Sequence, residues 1–206
     1  MRLLAVRAGG KGIACTRGMP PVDIGIAILV LHGLLGGFDT LYNHEWDARL
    51  PLKPYAAQEL KLHAGRSGLY VLIFGGLAWF EWHGAMVVVL AALVVAEFAL
   101  TLVDSVVEDR TRVVAATERV VHMILGVTTG AWAGFVFYTG FTDWWTRPTA
   151  LSATAYGEVS WLLTLFALVV ALSARRDAVA ARHLDRQARV LAPDEGTRRR
   201  PLLAEE

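Results

Sequence analysis

Acids and histidines recur in register within two apolar stretches of this chain. The first stretch carries His32, Gly36, Asp39 and Asn43; the second carries Glu97, Thr101, Asp104 and Glu108, each 65 positions after its counterpart. A Glu-x-x-x-His motif follows each set, Glu59 with His63 and then Glu118 with His122. Ionisable groups at membrane depth are costly to hold there, so these residues are functional candidates by default. Positions i, i+4, i+7 and i+11 fall in one strip of a helix face, and i,i+4 pairs share a face. Each set therefore lines a stripe, and each motif presents an acid and an imidazole together.

Convergent carboxylates and imidazoles are what a pair of divalent metal ions requires, with iron, zinc or manganese suited to that donor set. The expected ligands are Asp39, His44, Glu59, His63, Asp104, Glu108, Glu118 and His122. His32, Glu97, Thr101 and Glu45 are expected beside them, to orient the ligands by hydrogen bonds or to line a pathway. This inventory is similar to that of ferritin-like di-iron bundles, which take single acids from two helices and acid–histidine pairs from two more. The pairs here are i,i+4 rather than i,i+3, so the likeness is chemical and carries no family membership.

Four helices must position these stripes. With 55% hydrophobic residues and a mean hydropathy of +0.44, the chain is more apolar than an ordinary soluble domain. Apolar segments fall near 22–43, 66–82, 84–107, 119–141 and 155–174. The expected fold is an all-α integral membrane protein with five transmembrane helices. The first four form a duplicated helical hairpin (repeat 1 about 22–83, repeat 2 about 84–141) closing into a four-helix bundle. The second segment spans only if its helix begins near Ala57 and Arg66 reaches out to the headgroups. The fifth helix, about 155–174, is an added packing helix, flanked by Trp144, Trp145 and Tyr156 as interfacial aromatics.

Basic residues set the orientation. Arg49, Lys53 and Lys61 lie in the first hairpin loop, Arg110, Arg112 and Arg119 in the second, and more follow residue 174. Both hairpin loops and the C-terminus are thus expected in the cytoplasm, at a bacterial inner membrane. Residues 175–206 read as a basic amphipathic helix and a disordered tail. Residues 1–18 break the orientation rule through Arg2, Arg7, Lys11 and Arg17. They read as a non-structural extension ahead of Met19-Pro20-Pro21, with no signal peptide. A single cysteine, Cys15, excludes a disulfide framework and a thiolate metal site.

The expected function is a non-haem di-iron oxidoreductase acting on a lipid-like substrate at the cytoplasmic leaflet. Its partners would be membrane lipids and an electron donor or membrane-protein partner, with no nucleic acid. The alternatives are a b-type cytochrome with His63 and His122 as axial ligands of haem b, a metal or proton carrier, and an accessory subunit of a membrane complex. Structural readings stand beside these. Glu59 and Glu118 open helices and favour the dipole there. Asp104 and Glu108 could pair with Arg110, Arg112 or Arg119, and Glu97 could bond His32. Glu81 and His83, on the opposite turn, are expected to be solvated.

Overall fold

The computed structural model describes residues 19–191. The expected N-terminal extension and the polar tail lie outside the described residues. The chain is helical, with helices α1 (Pro21–Phe38), α2 (Ala57–Trp79), α3 (Met86–Thr111), α4 (Ala116–Thr142) and α5 (Glu158–Leu191). Pro21 occupies the first helical position of α1, where its missing N–H costs nothing. Four helical stretches are long and apolar enough to cross a membrane, those holding α1, α3, α4 and α5. The helix α2 begins at Ala57 as expected but is not one of the four.

Beyond Phe38 the first helix continues as a π-helix from Asp39 to Asp47, where the hydrogen bond runs from i to i+5, as in Ala48 N–H to the Asn43 carbonyl at 2.8 Å. Short 3-10 turns at Leu50–Leu52 and Pro54–Ala56 then lead into α2.

The helix α1 packs on α4, and α2 packs on α3 and α5. Their shared core holds Ile26, Leu29, Ile73, Leu77, Leu90, Trp132 and Val136. The fifth helix is continuous through residue 191, so the expected boundary at 174/175 falls inside one helix. Its distal part packs Ala181 and Leu184 on Leu50, Ala56 and Leu60, with Lys61 Nζ 2.8 Å from Asp185.

The helices fit the all-α class, and one small two-stranded sheet accompanies them. Strand β1 (Phe80–His83) pairs antiparallel with β2 (Ala150–Ala153), in a register that sets Phe80 against Ala153 and His83 against Ala150. It joins the α2–α3 turn to the α4–α5 connection, at the end of the helices away from the acidic stripes. Gly84 turns the chain there with φ of 54°, and a Cβ would lie 2.8 Å from the Thr149 backbone. Three expectations at this end are corrected. Trp144 is core, only 1% exposed, rather than an interfacial anchor. His83 is buried, with Nε2 2.8 Å from Glu81 Oε2 and 3.2 Å from Arg147 Nη1. Glu81 is partly covered as well, since Arg147 reaches across the sheet to it at 3.0 Å.

Candidate metal centre

At the opposite end, where α1 and α3 finish and α2 and α4 begin, the stripes converge. Asp39, His44, Glu59, Asp104, Glu108 and Glu118 are all buried. His63 and His122 complete the cluster, with side chains 10% and 25% exposed. His63 Nε2 lies 3.1 Å from Asp104 Oδ2, and His122 Nε2 lies 3.1 Å from Asp39 Oδ2. Asn43 Nδ2 donates to Asp39 Oδ1 at 2.7 Å and fixes that carboxylate.

The π-helix brings in His44. In an α-helix, residues five apart point to different faces, whereas the i→i+5 repeat returns His44 to the face of Asp39. Its Nε2 is 3.1 Å from Glu118 Oε1 and 3.5 Å from Asp39 Oδ2. Its ring stacks on His63, with centroids 4.5 Å apart and the Nδ1 atoms 3.2 Å apart. Two nitrogens in such contact share at most one proton, so at least one of them is unprotonated. His44 Nε2, His63 Nε2 and Asp104 Oδ1 are buried without a hydrogen bond of acceptable geometry. Buried polar atoms left in this state are costly.

Three sets of donor atoms lie close enough to share a cation: His44, Glu108, Glu118 and His122; His44, Glu59 and His63; and His63, Asp104 and Glu108. Glu108 belongs to two of them. Its Oε1 is 4.0 Å from His63 Nε2 and its Oε2 is 3.5 Å from His122 Nδ1. The two oxygens of one carboxylate thus face imidazoles on two different helices.

Two arginines enter the cluster. Arg112, in the α3–α4 turn, donates from Nη2 to Glu118 Oε1 at 2.6 Å and to Glu59 Oε1 at 2.8 Å, and lies 3.5 Å from Glu108. Burial works against its charge, but the carboxylates of Glu118 and Glu59 hold its pKa above the ordinary arginine value. Arg66 turns inward instead of out to the headgroups. Its Nη1 donates to Asp104 Oδ2 at 2.9 Å, and its Nε lies 3.5 Å from Glu97 Oε1. One hydrogen-bonded carboxylate and a second acid within ion-pair distance are worth more to a buried guanidinium than a route to water.

The neighbouring groups are arranged otherwise than a His32–Glu97 bond would require. His32 Nδ1 meets Thr128 Oγ1 at 2.9 Å, and Thr101 donates to Glu97 at 2.8 Å. Glu45 points away, to Arg176 of α5 at 2.9 Å. Arg66 and Tyr70 were legible but unread: Glu59, His63, Arg66 and Tyr70 repeat the i, i+4, i+7, i+11 spacing of the other stripes. Arg112 carries no such signal, since it lies beyond α3, where helical periodicity ends.

Comparison of the chain with protein-family models, curated proteins and solved structures finds no match.

Proposed function

We propose that this chain is an integral-membrane, metal-dependent oxidoreductase that holds two divalent ions, iron first among them, between α1, α2, α3 and α4. The observation that carries the reading is Glu108, whose two oxygens face His63 and His122 separately, as a carboxylate bridging two ions must. Charge supports it. Asp39, Glu59, Glu97, Asp104, Glu108 and Glu118 are six buried acids. Arg66 and Arg112 are the two arginines among them, which leaves four negative charges to be met by cations or protons. Two divalent ions match that deficit. Bound there, a pair of irons would supply redox and Lewis-acid chemistry. Asp39, Asp104 and Glu108 with His44, His63 and His122 would hold the ions. Glu59 and Glu118, already engaged by Arg112, would sit at the margin.

The reading extends to topology. α2 counts as a fifth span, because its polar stripe turns inward to α3 and leaves its remaining face for lipid and α5. The centre then lies at the cytoplasmic end, where Arg49, Lys53, Arg110 and Arg119 gather, in a bacterial inner membrane. The polar chain of acids and histidines ends at His32 and Glu97. Beyond them Ile26, Leu29, Leu90, Trp132 and Val136 form a dry plug, which disfavours a transmembrane proton or metal carrier. Haem is disfavoured because Nε2 of both His63 and His122 faces a carboxylate at 3.1 Å.

A second reading, an accessory subunit of a membrane complex, is favoured by Arg112, which satisfies Glu59 and Glu118 without any ion. Elemental analysis and absorption spectroscopy of detergent-purified protein separate the two. About two irons per chain without a Soret band supports the oxidoreductase. Protein that purifies metal-free and takes up no iron, zinc or manganese overturns it in favour of the subunit.

A further inference from the structure

A cleft leads from the lipid-facing surface into this centre. α3 packs on α2 and α4 packs on α1, while α3 and α4 scarcely touch each other. The gap between them measures about 70 Å³ and is walled by Phe98 and Ser105 on one side and by Gly126 and Thr129 on the other. Asp104, Glu108 and His122 form its floor, and Asp104 Oδ1 is buried there without a partner.

The sequence repeat explains why the gap exists. On α2 the stripe runs Glu59, His63, Arg66, Tyr70; on α4 the same spacing gives Glu118, His122, Leu125, Thr129. Tyr70 stacks on His32 with ring centroids 5.2 Å apart, and its buried hydroxyl lies beside Thr129 and Glu97. Thr129 stands at the matching place in the second half and is far smaller. Gly126 beside it adds no side chain, and a Cβ there would meet nothing within 4 Å. The cleft opens where α4 carries these two small residues.

Its size and rim select an occupant. The space holds only a few water-sized groups, which suits part of a linear chain and refuses a ring system. Along α3, Phe98 to Glu108 covers about 15 Å, half the thickness of a hydrocarbon core. Phe98, Leu102, Met123 and Val127 are exposed around the opening and are apolar. At the end nearest the α3–α4 turn, Arg119 approaches Asp109 only to 4.0 Å, with both side chains more than half exposed. Such a pair contributes little and leaves the guanidinium free for a stronger anion. Arg110 is exposed beside it.

We propose that the α3–α4 cleft takes one acyl chain of an anionic lipid laterally from the cytoplasmic leaflet. Arg119 and Arg110 meet the headgroup, and the chain lies against Glu108 and His122. The proposal names the substrate class of the centre and in that respect rests on the function proposed above.

The test uses full-length protein in nanodiscs containing phosphatidylglycerol with a photoreactive diazirine in mid-chain, and maps adducts by mass spectrometry. Adducts are expected on Phe98, Ser105 and Thr129. Gly126→Leu should abolish them while leaving metal content unchanged. Arg119→Gln should reduce the preference for phosphatidylglycerol over a phosphatidylcholine probe by about fivefold, the effect of one basic residue at an anionic surface. Equal labelling of the cleft and of the exposed Leu168 and Val169 on α5 would overturn the proposal. So would cleft labelling that Gly126→Leu leaves intact, or equal labelling by both lipids in the native protein. Cleft adducts in a chain that binds no metal would support the lipid site and overturn the metal reading instead.

Discussion

His63 Nε2 stands 3.1 Å from Asp104 Oδ2, and His122 repeats that contact with Asp39 at the same distance. Each histidine comes from the second helix of one hairpin and each acid from the first helix of the other. The two acids differ in one respect. Asp39 is fixed by Asn43, a neutral donor, whereas Asp104 also neutralises Arg66.

Asp39→Asn and Asp104→Asn should therefore lower metal affinity by similar factors, at least the roughly 10–100-fold that loss of an outer partner costs. In metal-free protein they should diverge. Asp104→Asn leaves Arg66 with only Glu97 at 3.5 Å and should melt lower than Asp39→Asn. Metal titration and thermal melts of both variants check the pattern. Equal melting points without metal would show that Arg66 does not depend on Asp104.

Arg112 holds two buried carboxylates on two other segments and should be the most costly single residue to remove from the cluster. Arg112→Leu strands Glu59 and Glu118, a loss of about 3–5 kcal/mol for a broken buried ion pair. Adding Glu59→Gln and Glu118→Gln should restore part of that stability, because the stranded charges are then gone. Denaturant unfolding in detergent measures both steps. A triple variant no more stable than Arg112→Leu alone would refute the charge argument.

Glycines on α1 should respond in opposite directions. A Cβ at Gly25 would lie 2.9 Å from Val136 and 3.1 Å from the Trp132 carbonyl, the closest approach of α1 to α4. Gly25→Ala should destabilise by about 1–3 kcal/mol through overpacking. At Gly36 nothing lies within 4 Å of a Cβ. Gly36→Ala should be neutral or gain about 0.5–1 kcal/mol from helix propensity. Paired melting curves decide.

The stripes were legible because charge inside an apolar helix is expensive and the α-helical period converts spacing into a face. That reasoning brought Asp39, Asp104, Glu108 and both Glu-x-x-x-His motifs to one end of the molecule. It fails where the period changes. Asp39–Asp47 is a π-helix, so an α-helical stripe leaves His44 at its edge, although His44 is buried in the cluster. It fails also where a residue's partner is set by tertiary packing. Arg66 reads as a snorkelling side chain until α3 supplies two acids beside it, and Arg112 acquires its role only when Glu59 of α2 is brought to it. The small sheet was hidden because its strands are four residues each and its paired residues lie 67 positions or more apart. His83 and Trp144 read as exposed for the same reason, since the sheet is what covers that end.

His44 has no like residue 65 positions on, and it yields the sharpest test of the ligand set. The residue 65 positions on is Asp109, whose side chain is 70% exposed. The first unit thus contributes a third imidazole, carried inward by the π-helix, and the second unit contributes nothing equivalent. If the three histidines act together on the ions, His44→Ala should lower bound metal and melting temperature together, as His63→Ala and His122→Ala should. Metal binding and folding are coupled when the site is assembled only in the folded chain. Asp109→Ala should change neither quantity. His83→Ala, at the sheet end, should leave metal content unchanged even where it lowers the melting temperature by breaking the contact with Glu81 and Arg147. Elemental analysis beside thermal melts of these five variants reads both quantities. Full metal occupancy in His44→Ala would remove this residue from the ligand set and leave the π-helix as a packing feature that turns Asn43 toward Asp39.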